Sequence, residues 1–201
     1  IDIAGQGPDA IAASTTPIRV EKGGVKRLVD LKLIDAGHAI EPITPVVPLS
    51  FAATLRGGIT IAENIRMRVL GADGSAKATI AGQQVFYANA LTDADVFATP
   101  LPRGVETFVQ LRSSDSPTTI AYQFDLPDGA RLVELSGEHA GVAIVRENNL
   151  LARIAAPVSQ DANGALVPTT MSIDGARLTL HVAVSKSTAF PVLVDPVVVD
   201  N

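Results

Sequence analysis

The chain has 201 residues, of which 47% are hydrophobic and 18% charged, and its formal net charge is −5. This composition is typical of a folded globular protein, and the acidic balance gives no basis for nucleic-acid binding. The absence of cysteine excludes a disulfide scaffold, a thiolate metal site and a cysteine nucleophile.

Apolar and polar residues alternate along most of the chain, which is the pattern of half-buried β-strands. In chain order the pattern predicts strands at Ile18–Glu21, Leu28–Ile34, Leu49–Leu55, Ile65–Leu70, Gln84–Tyr87, Val105–Leu111, Ile120–Leu126, Arg131–Leu135, Val142–Arg146, Leu151–Ala155, Thr170–Ile173, Leu178–Val184 and Phe190–Val194. Gly-Gly, Asp-Gly and Asn-Gly pairs between them supply turns, and no helix longer than about one turn is predicted.

Regular strand spacing of about 8–12 residues favours an all-β fold, an antiparallel β-sandwich with little or no helix. We predict an N-terminal β unit over residues 1–92 and a C-terminal β-sandwich unit over 93–201, the alternative being one continuous fold. No apolar stretch is long enough to cross a membrane as a helix.

Two pairs of residues are candidates for special chemistry. Asp93 and Asp95 lie on one side of an extended chain and could begin a calcium site, the alternative being an ordinary loop. Lys32 lies in a very apolar strand, where burial would free its amine for an isopeptide cross-link with Glu106 as the assisting acid. The alternative places Lys32 on the solvent face of an edge strand.

Motifs for catalysis are missing from the sequence: it contains no Gly-x-Ser-x-Gly elbow, phosphate loop or His-Glu-x-x-His helix. Paired carboxylates leave no sequence motif, so a carboxylate-based hydrolase stays open. Most of the two tyrosines and six phenylalanines are predicted to point inward and fill the core, which argues against a sugar-stacking surface.

The C-terminal residues Val197, Val198 and Val199 are predicted to form a strand that could complete a sheet locally. Alternatively, they add an edge strand to a neighbouring domain or to a second copy of the chain.

Several short motifs between residues 84 and 196 carry a resemblance to a known family. They are Val85–Asn89, Asp93–Asp95, Gly104–Thr107, Leu111–Ser113, Phe124–Pro127, Asp161–Gly164, Val167–Pro168 and Phe190–Pro196. With them, residues 84–196 resemble a β-rich module of very large secreted actinobacterial proteins that often carry RHS/YD-repeat arrays. The resemblance implies a secreted, non-catalytic module and transfers no catalytic residue.

The leading prediction is therefore a non-catalytic structural or interaction module of a secreted or cell-surface protein, with other domains or copies of itself as partners. No cofactor is predicted, apart from calcium in one alternative. That alternative is a carbohydrate- or calcium-binding β-sandwich module, and a second is a carboxylate-based hydrolase.

Overall fold

The computed structural model describes residues 18–62, 64–137 and 140–200, and these residues fold into β-strands with no α-helix. All strand pairs are antiparallel, so the predicted all-β antiparallel fold is confirmed. In chain order the strands are β1 (Arg19–Lys22), β2 (Val25–Leu28), β3 (Asp30–Asp35), β4 (Ala39–Thr44), β5 (Leu49–Ala52), β6 (Ile59–Ile61), β7 (Ile65–Val69), β8 (Ala78–Ala81), β9 (Gln84–Leu91), β10 (Ala94–Leu101), β11 (Gly104–Leu111), β12 (Thr119–Asp125), β13 (Ala130–Leu135), β14 (Gly141–Arg146), β15 (Asn149–Ala155), β16 (Val158–Gln160), β17 (Thr169–Asp174), β18 (Arg177–Val182), β19 (Val192–Asp195) and β20 (Val197–Asp200).

The strands form two large sheets and one separate hairpin. The eight-stranded sheet has the order β17-β18-β12-β7-β6-β5-β4-β3, and a short 3-10 turn at Leu55–Gly57 joins β5 to β6. The ten-stranded sheet runs β13-β14-β15-β20-β11-β10-β9-β8, with β19 paired to both β11 and β16. Strands β1 and β2 pair only with each other within the described residues.

The order of strands in the sheets contradicts a division of the chain at residue 92. That boundary falls in the turn between β9 and β10, which pair as neighbours in the ten-stranded sheet. Residues 1–92 also supply strands to both sheets, and so do residues 93–201. The alternative of one continuous fold therefore describes the chain from β3 onward.

One hydrophobic core lies between the two sheets. The eight-stranded sheet contributes Phe51 and Tyr122, the ten-stranded sheet contributes Tyr87 and Val109, and all four are almost fully buried. Burying one such side chain stabilises the fold by about 1.5–3 kcal/mol. The Tyr87 hydroxyl also donates a hydrogen bond to the Ala52 carbonyl, 3.0 Å away, so a polar contact joins the sheets as well.

The valine strand near the C-terminus is not a sheet edge. Strand β20 lies between β11 and β15: Val198 pairs with Val105 on one side and with Ile154 on the other. Val198 has no exposed surface. The prediction of a free assembly edge at Val197, Val198 and Val199 is therefore wrong, because the backbone groups of this strand pair within the chain on both sides.

Candidate functional site

Three phenylalanines project from the outer face of the ten-stranded sheet, away from the core. In β9, β10 and β11 the side chains on either side of each phenylalanine are fully buried, as with Val85 and Tyr87 around Phe86. Since neighbouring side chains of a strand point to opposite faces, Phe86, Phe97 and Phe108 point outward. They are half-buried rather than enclosed.

The register places these three rings in one row across adjacent strands. Phe97 lies directly opposite Phe86 on one side and opposite Phe108 on the other. The rings of Phe86 and Phe97 stack with their centroids 4.8 Å apart and their planes 26° from parallel. We call this row the phenylalanine row. Such cross-strand pairs stabilise a sheet, but they also present a flat apolar surface to a ligand.

A groove of about 460 Å³ opens over two rings of the phenylalanine row, Phe97 and Phe108. This volume lies within the range of about 300–1,000 Å³ that is usual for small-molecule sites. Besides the two rings the groove is lined by Gln84, Gln110, Gln160, Asp161, Ala162, Pro191 and Leu193. Apolar surface and converging side-chain amides therefore meet in one concave site.

The groove amides differ in how far they are already hydrogen-bonded. The Gln84 side-chain nitrogen donates to the Thr99 hydroxyl at 2.9 Å. In contrast, the side-chain amides of Gln110 and Gln160 form no hydrogen bond in the described ranges 18–62, 64–137 and 140–200. Each retains a donor and an acceptor for a ligand.

Asp161 forms one wall of the groove and is held by the backbone. One of its oxygens accepts from the amides of Asn163 and Ala165, at 2.9 and 3.0 Å, and the other accepts from Ala189 at 3.1 Å. These backbone hydrogen bonds, with that of Ala189 the strongest influence, lower the pKa of Asp161. This carboxylate therefore shapes the loop, and it is the sole charged side chain lining the groove in the part of the chain that the structure describes.

Asp195 lies at the end of the phenylalanine row. Val109 pairs with Val194, and the Thr107 amide donates to the Pro196 carbonyl at 3.1 Å, so Asp195 stands opposite Phe108. Burial raises the pKa of Asp195 to about 6, and the charge of Glu106 adds to the effect. One oxygen of Asp195 is buried without a hydrogen-bond partner among the described residues.

This pair of acids bears on the hydrolase alternative. Glu106 and Asp195 are the clustered, partly buried carboxylates that such an enzyme would need. Neither of them lines the groove, however.

Asp93 and Asp95 are brought together as the sequence indicates, but around an arginine. The Arg112 guanidinium lies 3.2 Å from Asp93 and 3.5 Å from Asp95, and it donates to the Asn89 side chain at 2.8 Å. The Asp95 carboxylate also accepts a hydrogen bond from the Asn89 backbone N–H at 2.7 Å. A positive group therefore occupies the space between the two carboxylates.

Two serines complete this polar cluster. The Ser113 hydroxyl donates to Asp93 at 2.6 Å, and the Ser116 hydroxyl donates to the Asp93 carbonyl at 2.6 Å. The hydrogen bond from Ser113 is the main reason why the pKa of Asp93 is lowered. Calcium requires six to eight oxygen ligands. Across the described residues, no three His, Cys, Asp or Glu side chains are grouped as metal ligands.

The proposed cross-link partners lie in different sheets. Lys32 is exposed on β3, the edge strand of the eight-stranded sheet, whereas Glu106 lies on β11 within the ten-stranded sheet. The exposure of Lys32 agrees with the alternative placement on the solvent face of an edge strand. It removes the burial on which the activation of its amine would depend.

The aromatic residues were predicted mostly as core, and this is where the sequence interpretation missed the groove. Phe51, Phe124, Tyr87 and Tyr122 are indeed buried, but the three rings of the phenylalanine row face outward. The signal was present in the sequence: each of these rings stands between two residues that strand alternation assigns to the core. Arg112 was missed because 17 residues separate it from Asp95.

No helix among the described residues is long and apolar enough to cross a membrane. In comparisons with known proteins, no protein family, no curated protein and no solved structure matches this chain.

Proposed function

We propose that this chain is a non-catalytic interaction module of a secreted or cell-surface protein, and that it binds through the outer face of the ten-stranded sheet. The observation that carries the proposal is the groove over Phe97 and Phe108. Three half-buried phenylalanines in one row on an outer face, beside a concave site with a polar rim, are typical of a binding surface.

The hydrogen bonds of three aspartates, one of them in the wall of the groove, support a binding role over a catalytic one. Asp93 is held by Arg112 and two serines, Asp95 by Arg112 and the Asn89 backbone N–H, and Asp161 by three backbone N–H groups. Groups committed in this way hold loops in place and do not transfer protons to a ligand. The secreted location, and the place within a large RHS-associated actinobacterial protein, are part of the proposal and rest on the sequence resemblance.

The test uses the whole chain, labelled with a fluorophore and incubated with washed cell envelopes of the organism that encodes it. We expect retention of the wild type and loss of retention in a Phe97→Ser/Phe108→Ser variant. The matched control is Val25→Ser/Ile43→Ser, which removes two exposed apolar side chains from β2 and β4, outside the ten-stranded sheet.

Circular dichroism and thermal melting confirm that each variant is folded before retention is compared. Equal retention of the wild type and the Phe97→Ser/Phe108→Ser variant would contradict the proposal, and so would the absence of retention for every form.

A further inference from the structure

We infer that the groove over Phe97 and Phe108 binds a neutral saccharide. The inference rests on the proposed function, because it names the ligand class of the same face. Three features of the groove lead to it: its charge, its unpaired amides and its position over central strands of the sheet.

Charge excludes the common anionic ligands. No lysine or arginine lines the groove in the described part of the chain, and its single carboxylate, Asp161, is held by three backbone amides. The whole chain has a net charge of −5. Phosphates, sulfated glycans and uronic acids require cationic partners, which this site does not supply.

The polar lining matches hydroxyl groups. A sugar hydroxyl both donates and accepts a hydrogen bond, and a side-chain amide does the same. The side-chain amides of Gln110 and Gln160 have no hydrogen-bond partner in residues 18–62, 64–137 and 140–200. Beside them, Phe97 and Phe108 offer ring surface on which the apolar face of a sugar ring can stack.

The location of the groove disfavours an extended peptide. A peptide that adds a strand to a sheet needs an edge with free backbone groups. The groove lies over β10, β11 and β19, each of which pairs with strands on both sides. Gln160, the last residue of β16, also lines it; β16 pairs with β19 on one side, and on the other side the Ser159 carbonyl accepts from the Val167 backbone N–H at 2.8 Å. Ligands over these strands must be recognised by side chains alone, as stacking rings and amides recognise a saccharide.

The experiment titrates the whole chain with neutral oligosaccharides and follows binding by calorimetry. The probes are cellohexaose, maltohexaose, mannohexaose, xylohexaose and chitohexaose, and the anionic comparison is hexagalacturonate. We expect at least one neutral probe to bind in the millimolar range or tighter, and hexagalacturonate not to bind. Gln110→Ala/Gln160→Ala and Phe108→Ser should each weaken that binding by about tenfold or more.

The matched amide control is Gln83→Ala, which removes an exposed glutamine from the β8–β9 turn outside the groove. Its affinity should equal that of the wild type. The inference is overturned if none of the neutral probes binds. It is also overturned if binding survives the groove substitutions, or if hexagalacturonate binds more tightly than the neutral probes.

The same probes, added as competitors in the envelope assay, separate this inference from the proposed function. Retention that depends on Phe97 and Phe108 but is unaffected by every neutral probe would refute the saccharide inference and leave the interaction role intact. Retention that does not depend on the two rings refutes both.

Discussion

Tyr87 and Ala52 are joined across the core by a hydrogen bond of 3.0 Å between the tyrosine hydroxyl and the alanine carbonyl. Tyr122 lies in the facing sheet and is equally buried, but its hydroxyl has no hydrogen-bond partner among the described residues. Thr107, which is close to it, donates its own hydroxyl to the Pro196 carbonyl at 3.0 Å. The two tyrosines therefore form a matched pair with opposite hydrogen-bonding states.

The first prediction compares Tyr87→Phe with Tyr122→Phe. Removing the Tyr87 hydroxyl takes away a donor from the half-buried Ala52 carbonyl, so the free energy of unfolding should fall by about 1–2 kcal/mol. Removing the Tyr122 hydroxyl relieves an unsatisfied buried group and should leave stability unchanged or slightly higher. Urea denaturation of both variants measures the difference, and equal losses would contradict the assignment.

The second prediction separates outer-face rings from core rings. Phe97→Ala removes a half-buried ring and its stacking contact with Phe86, and should cost about 1–2 kcal/mol. Phe51→Ala empties a fully buried site and should cost about 3–5 kcal/mol. Chemical denaturation checks both values. If Phe97→Ala cost as much as Phe51→Ala, the row would be a second core rather than a surface.

The third prediction concerns pH. The pKa of Asp195 is raised to about 6 in the folded chain, against about 3.9 for an unfolded aspartate. The native state therefore holds a proton that the unfolded state has lost, and stability falls as pH rises from about 4 to about 6. Asp195→Asn should remove this dependence and raise the melting temperature near neutral pH.

Melting curves across that pH range test the prediction. Asp128→Asn, which changes an exposed turn aspartate, is the control and should keep the slope of the wild type. A slope that persists unchanged in Asp195→Asn would assign the titration to another group.

The fourth prediction concerns the cluster around Arg112. Because the guanidinium lies between Asp93 and Asp95, calcium should not raise the melting temperature relative to chelator. Arg112→Ala leaves the two carboxylates facing each other without a positive charge and should lower the melting temperature by a few degrees. Arg131→Ala, at an exposed site, is the matched control. A calcium-dependent rise in the wild type would restore the metal interpretation.

Alternation in the sequence predicts most of the strands, but not β2, β4, β6, β8, β10 or β16. Ile120–Leu126 and Leu178–Val184 alternate clearly, and the structure has β12 and β18 there. Alternation also assigns Phe86, Phe97 and Phe108 to an outer face once their neighbours are taken as core. What alternation could not supply is pairing between distant strands, because register depends on contacts far apart in sequence.

The site illustrates the same limit. The groove requires Phe97, Gln160 and Pro191 to meet, and these residues lie on segments separated by tens of residues. Asp93 and Asp95 could be noticed because they are close in sequence. Their positive partner, Arg112, directly follows β11 and is much farther away along the chain. The Asp93 and Asp95 pair was therefore visible in the sequence, whereas the Arg112 guanidinium that lies between the two carboxylates was not.

The position of β19 and β20 has a consequence for folding of the chain during its synthesis. These strands are the last in the described sequence, yet both pair with β11 inside the ten-stranded sheet: β20 lies between β15 and β11, and β19 lies between β16 and β11. Until they have been synthesised, β11 and β15 each present an unpaired backbone row. The sheet therefore closes late, through contacts between residues about ninety positions apart, such as Thr107 and Pro196. In a nascent chain halted before β19, β11 and β15 would be unpaired edges of two incomplete sheets. Unpaired strand edges of this kind make β proteins prone to aggregation.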